Sequence, residues 1–342
     1  MEVHQRLHCQ VAVFSCRPNS DDFAFSNVGV DYAGPLYVKD IYLQTEQMFK
    51  AHISLYTCMS SRAIHLDLVP DASTTAFIRC FKRFIGRRGI PSLVLSDNAK
   101  TFKSAELKNF VTSRGMKWRY NVPRAPWWGG FFERMVRSVK RCLKKTLRNA
   151  RLTYEELLTL LIQIERVLNS RPLTYVCEDG GEPLTPSHLV VGRRLLSPPT
   201  EFLVKDPQYK NSQEDLLKRE RHLRTVLQHF WKRWQKDYLT QLREHHSPRR
   251  QKDPVINVGD VVLVHEDKVS RLNWSIGKVD KLIVGADGKV RAAVVKTIGQ
   301  RGSPIVLKRP VQKLFPVELS VEKNSDVPIS FVEHAELENI RN

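Results

Sequence analysis

Asp31, Asp97 and Glu133 stand in the segments VGVDYAGPL, VLSDNAKTF and PWWGGFFERMVRSVK, and 35 residues, 98 to 132, separate the last two. Carboxylates drawn from distant parts of a chain are what a hard, oxygen-seeking ion such as Mg²⁺ requires. Two such ions about 3.5–4 Å apart can activate a water or hydroxyl on one side of a phosphodiester and stabilise the leaving oxygen on the other. Three acids suffice when one of them bridges both ions. No protein nucleophile is then needed, and the chain has no GxSxG elbow, no P-loop and no Rossmann glycine set.

Each acid also has a plainer role. Asp97 precedes Asn98 at the end of an apolar run, where Asp commonly closes a turn. Glu133 is four residues before Arg137, an ordinary surface pair on a helix. Asp31 lies in an apolar strand, where an uncompensated carboxylate is costly to bury. Asp67 and Asp71 flank Pro70 and are read as a strand end and a helix N-cap.

The elements that must position these acids begin at Val28. Period-two β-formers over 28–33, 51–58 and 61–69 predict three strands, and 73–88 predicts a helix with Phe77, Ile78, Phe81, Phe84 and Ile85 on one face. A short buried strand, 93–96, ends at Asp97; a helix over 104–114 and a strand over 116–122 follow. Pro123, Pro126, Gly129 and Gly130 break the pattern before a helix starting near Phe131. Projected at about 100° per residue, that helix puts Phe132, Val136, Val139, Leu143 and Leu147 inside and Glu133, Arg137, Lys140, Lys144 and Arg148 outside. Thr153 and Glu156 form a capping box for a helix over 154–169.

Residues 174–212 read as irregular. A long amphipathic helix over about 215–245 carries Leu223, Leu227, Phe230, Trp234, Tyr238 and Leu242 on one side, a stripe better suited to packing on a neighbour than to touching DNA. Segment 258–315 turns to short strands with a turn at Asp287–Gly288, which predicts a small antiparallel barrel. Residues 317–342 hold six acidic and two basic side chains and are read as a disordered tail.

The 55 Lys and Arg against 36 Asp and Glu leave a charge of +19, which favours a polyanionic partner over an acidic small molecule. Six cysteines without a CxxC pair point to free thiols and an intracellular protein. Apolar runs fall short of the ~20 residues a membrane helix needs, so no membrane role is expected. His4, His8, Cys9 and Cys16 lack the paired spacing of a zinc site, and zinc is not expected; residues 1–26 are read as a leader or truncated remnant.

Together, PWWGGFFERMVRSVK, GIPSLVLSDNAKTF and LNSRPLT (168–174) resemble the catalytic core of retroviral and retrotransposon integrases, with wording most similar to the BEL/Pao group of long-terminal-repeat retrotransposons. The likeness covers roughly 27–195, and FWKRW (230–234) with VGDVVLV (258–264) extends it toward the C-terminus. It implies an α/β fold: an RNase H-like mixed sheet flanked by helices, then a long linker helix and a small SH3-like β-barrel. It implies a core over 27–195, a basic helical linker over 196–250, a DNA-binding barrel over 251–316 and an acidic tail over 317–342.

By the same resemblance, Asp31, Asp97 and Glu133 are Mg²⁺ (or Mn²⁺) ligands, water trims the element's DNA ends, and the exposed 3′-hydroxyl attacks target DNA. Arg137 and Lys140 match positions that touch the donor end; Lys144, Arg148, Lys100 and Trp127 complete the candidate DNA contacts. Trp127 and Trp128 suit stacking on an unpaired base or anchoring of their loop. The family's zinc-binding HHCC module has no counterpart in the spacing here. A nuclear homo-oligomer acting on element ends and target DNA is expected. The competing readings are an adopted or degenerate DNA-binding protein without the chemistry, and an RNase H-like nuclease that only hydrolyses.

Overall fold

The computed structural model describes residues 23–39, 48–120, 130–148, 150–174, 183–195, 212–246, 256–265, 275–285, 288–298 and 304–318. The first sheet contains β1 (Asn27–Lys39), β2 (Met48–Cys58), β3 (Ile64–Val69), β4 (Leu93–Ser96) and β5 (Lys117–Tyr120) in the order β3-β2-β1-β4-β5. β1, β2 and β3 pair antiparallel, whereas β4 lies parallel to β1 and β5 parallel to β4. Such a mixed sheet, three antiparallel strands extended by two parallel ones, is RNase H-like.

Alternation along the strands divides the sheet into two faces. Val28, Val30, Tyr56 and Val94 face α1 (Thr74–Arg88) and α2 (Ala105–Thr112), with Phe77, Phe81 and Phe84 filling that layer. Ala33, Leu36, Ile53, Leu55, Leu66 and Leu68 face α3 (Gly130–Leu147) and α4 (Tyr154–Asn169). β1 runs six residues further than its predicted end at Ala33, because a bulge between Ala33 and Leu36 rephases the strand and keeps both residues on one face. Gly34 takes φ +134° there, and an added Cβ would meet the Ala51 carbonyl oxygen at 3.3 Å, so the bulge requires glycine.

The helix starts follow from their caps. Ser73, and not Asp71, is the N-cap of α1, accepting from the Ala76 amide; Asp71 instead accepts from the Ser73 amide at 2.7 Å. Asp67 is likewise no loose strand end, because Arg83 Nε donates to its buried carboxylate at 2.8 Å and ties β3 to α1. The Thr153/Glu156 capping box of α4 forms both of its bonds. Region 174–212, read as irregular, contains α5 (Pro186–Val191), a helix too short for an apolar period to reveal.

α6 (Ser212–His246) buries Leu223, Leu227, Phe230, Trp234, Tyr238 and Leu242 against α3 and α4. The second sheet, β6 (Val261–Val264), β7 (Ser275–Val284), β8 (Val290–Ile298), β9 (Pro304–Pro310) and β10 (Leu314–Pro316), is antiparallel throughout in the order β10-β6-β7-β8-β9. Its last strand returns through a 3₁₀ turn at Val311–Lys313 to lie beside its first, which is SH3-like connectivity. Val262, Val264, Val279, Val295 and Leu314 form its interior, while Leu263, Ile276 and Phe315 join the core built around α3, α4 and α6.

The disordered tail expected over 317–342 does not include its first two residues, and 319–342 lie outside the described residues. Val317 and Glu318 are buried, and Arg171 Nε donates to Glu318 at 2.7 Å. A single charge count over 26 residues cannot see that one of those acids has a partner 147 residues away.

A second buried carboxylate, Glu165 of α4, spans the same side of the sheet. It accepts from the Leu66 amide at 2.9 Å and from Arg88 at 2.5 Å, with His65 Nδ1 at 3.1 Å. Burial pushes its pKa up, but the bonds and charges of His65, Leu66 and Arg88 outweigh burial and hold it below its ordinary 4.5. A carboxyl depressed by folding stabilises the native state fully above its unfolded pKa and loses that contribution as pH falls through the native one. Urea unfolding followed from about pH 5 to about pH 3 is accordingly expected to show a shallower loss of stability in Glu165→Gln than in the wild type. Parallel acid limbs in the two proteins would refute the assignment.

Candidate active site

Val30 of β1 lies opposite Ser96 of β4, and both residues belong to the face covered by α1 and α2. Asp31, still within β1, and Asp97, just past β4, therefore come at the C-terminal end of that parallel pairing. Neighbouring strands are about 4.8 Å apart, so two residues far apart in sequence become neighbours where the parallel pairing ends.

The two carboxylates have different surroundings. Asp31 is half-buried, its Oδ1 accepts from the Tyr32 amide at 2.8 Å, and its Oδ2 pairs with the ammonium of Lys140 on α3. The charge that was expected to be costly in an apolar strand is thus compensated across the sheet. Asp97 is exposed, and its Oδ1 accepts from the Ala99 amide at 3.1 Å in a turn of the kind its neighbour Asn98 suggested. Ser96 steadies the approach: its hydroxyl donates to the Asp97 carbonyl at 2.9 Å and receives Trp118 Nε1 at 3.0 Å.

Glu133 falls in the first turn of α3, seven residues before Lys140. At about 3.6 residues per turn, those two backbone positions share one side of the helix. The Glu133 side chain lies outside the described residues, as do Trp127, Trp128 and the His4, His8, Cys9 and Cys16 group. Among the described residues no three His, Cys, Asp or Glu side chains gather as a metal site. Asp31 and Asp97 nevertheless offer what a hard divalent cation takes, accessible carboxylate oxygens on adjacent strands where their parallel pairing ends, and a cationic ammonium already sits on one of them.

The outer side of α3 is basic as read. Val136, Val139, Leu143 and Leu147 are buried while Arg137 and Lys144 are exposed, and Arg148 is exposed just past the helix end. Lys100 is exposed in the 3₁₀ turn Lys100–Lys103 that follows Asp97. Lys140 departs from the expected group: it is turned inward to Asp31. Arg141, not among the expected contacts, pairs with Asp237 of α6, which Ser138 also bonds. α3 is thereby fixed between the sheet and the long helix.

Residues 218–317 match DUF5641, a family of unknown function. No curated protein matches the chain. Among solved structures, the chain is similar to the HTLV-2 integrase catalytic core in complex with magnesium in its trimeric form, at 18% identity and a TM-score of 0.35, over 49% of this chain and 97% of that one. It is similar to the simian T-cell lymphotropic virus intasome in complex with the PP2A regulatory subunit B56 gamma at 14% identity and a TM-score of 0.37, over 86% of this chain and 79% of that one. The catalytic core of BIV integrase aligns at 17% identity and a TM-score of 0.34, over 49% and 95%. Identities and scores this low assign neither activity nor ligand to this chain. No helix among the described residues is long and apolar enough to cross a membrane.

Proposed function

We propose that this chain is a Mg²⁺-dependent DNA integrase of the BEL/Pao type, which trims the ends of an element's DNA and joins them to target DNA. The observation that carries the reading is the β1–β4 register, with Asp31 and Asp97 following Val30 and Ser96 where that parallel pairing ends. The 35-residue interval to Glu133 at the start of α3, and the motif wording around all three acids, support it from the sequence side.

In this reading Asp31, Asp97 and Glu133 hold divalent cations, Mg²⁺ or Mn²⁺, which supply activation of the attacking oxygen and relief of charge on the leaving one. The protein's own part is positional. The Tyr32 amide orients Asp31 and the Ala99 amide orients Asp97, so neither carboxylate is left to rotate freely. Arg137, Lys144, Arg148 and Lys100 neutralise phosphates and hold the duplex, an interaction that supplies affinity without choosing sequence. Trp127 stacks on an unpaired donor base. The partition into a core (27–195), helical linker (196–250) and DNA-binding barrel (251–316), a homo-oligomeric state and a nuclear location belong to the same proposal.

The test incubates the chain with a labelled donor oligonucleotide, target DNA and Mg²⁺ and resolves the products by size. Joined products are expected. Shortened donor without joining would instead mark a hydrolytic nuclease, and salt-sensitive binding without either product would mark an adopted DNA-binding protein.

A further inference from the structure

We propose that Lys140 is a built-in stand-in cation: its ammonium keeps the Asp31 carboxylate neutralised in the resting protein, gives way when a divalent cation arrives, and then serves as a phosphate contact. The inference rests on the proposed carboxylate site and adds a coupling between metal and DNA that the site alone does not contain. The decisive contact is the Asp31–Lys140 ion pair, made by side chains that are 34% and 28% exposed. Both groups therefore remain within reach of solvent, so the pair can be exchanged without opening the core.

The exchange has a chemical basis. An ammonium and a divalent cation seek the same carboxylate oxygens and repel each other, so they do not share one half-buried Asp. Tyr32 already uses Asp31 Oδ1, which leaves Oδ2, the oxygen on Lys140, as the better position for a metal. Lysine's four-carbon stem lets the displaced ammonium swing outward. Outward, it meets Arg137 and Lys144, three residues before and four after it on α3 and both exposed. A third cation there is unfavourable unless a polyanion is present. Metal and DNA phosphate then favour each other's binding, and the coupling is reciprocal by thermodynamic necessity.

The experiment titrates Mn²⁺ into the DNA-free full chain and reads the free ion by electron paramagnetic resonance, in the wild type, Lys140→Gln, Lys144→Gln and Asp31→Asn. Circular dichroism verifies that each is folded. Lys144→Gln removes the same charge one turn away without touching Asp31, so it measures the general field. The expected result is Mn²⁺ binding about fivefold tighter in Lys140→Gln, the scale of a partly exposed ion pair, with less than about twofold change in Lys144→Gln and loss of the site in Asp31→Asn. If Asp31→Asn loses the ion but Lys140→Gln binds it no more tightly than Lys144→Gln, Lys140 does not compete and the proposal is overturned while the carboxylate site stands. If Mn²⁺ binds neither wild type nor Lys140→Gln, or binds Asp31→Asn equally well, the carboxylate site fails and this inference fails with it.

Discussion

Asp97→Asn is expected to reduce joining of a labelled donor to target DNA by at least about a hundredfold, because a metal ligand contributes several kcal/mol of transition-state stabilisation. Retention of the same DNA on a filter without divalent cation, and its salt dependence, should stay unchanged, since that affinity comes from cations on α3 and beyond. The choice of asparagine makes the result discriminating. Its side-chain oxygen can accept the Ala99 amide that Asp97 Oδ1 accepts at 3.1 Å, so the turn after β4 is preserved. What asparagine lacks is the negative charge and the second carboxylate oxygen. If Asp97 only shapes the turn, joining survives the substitution and the integrase assignment falls.

The second large effect concerns stability. Glu318→Ala is expected to cost about 3–5 kcal/mol, the range for breaking one side of a buried ion pair. Glu318 is completely enclosed and receives bonds from Arg171 at 2.7 Å, Tyr238 at 2.8 Å and Arg62 at 3.3 Å. Burial pushes its pKa up, but Arg171 and Arg62 outweigh burial and leave it depressed, so the carboxylate is charged in the folded protein at neutral pH. Arg171 is equally enclosed, and its remaining donors reach the carbonyls of Leu168 and Arg62 at 2.9 Å. Removing Glu318 strands that guanidinium in the core. The double variant Arg171→Met/Glu318→Leu removes both charges, and it should recover much of the loss because the desolvation cost disappears with them. Urea unfolding of the wild type, Arg171→Met, Glu318→Leu and the double variant gives the coupling. Single losses that simply add in the double variant would refute the pairing argument.

That ion pair also explains a motif. LNSRPLT resembles integrase sequences, yet its polar residues here brace the fold: Asn169 bonds both backbone groups of Ile64, at 2.8 Å to the amide and 2.7 Å to the carbonyl, and Arg171 anchors Glu318. The C-terminal end of α4 is thereby held both to the start of β3 and to the segment after β10. The C-terminal sheet is therefore attached to the α3–α4–α6 core by a specific charge, in addition to the apolar contacts of Leu263, Ile276 and Phe315.

Local signals were legible wherever the deciding partner lies within a turn or two. Thr153 and Glu156 announced α4, the buried stripe of α6 matched its 3.6-residue period, and the apolar run 93–96 became β4 as drawn. α5 was missed because six residues carry too little period. The true N-cap Ser73 was passed over for Asp71, since both stand just before the helix and only the geometry chooses between them. Lys140 was assigned to the wet side because its projection angle says where the helix points, not which side chain of the sheet it meets.

The residue order by itself determined the acids, their 35-residue interval, the amphipathic faces and the alternation of strands and helices, because these depend on neighbours in the chain. Tertiary structure decided that β4 inserts beside β1, that Lys140 is held by Asp31, and that Glu318 belongs to the core although the residues after it are rich in acid. The physical reason is the range of the forces concerned. Hydrogen-bonded turns and apolar periods are settled within a few residues, whereas burying a charge is tolerable only if the fold delivers a counter-charge, and no stretch of sequence states which distant side chain that will be.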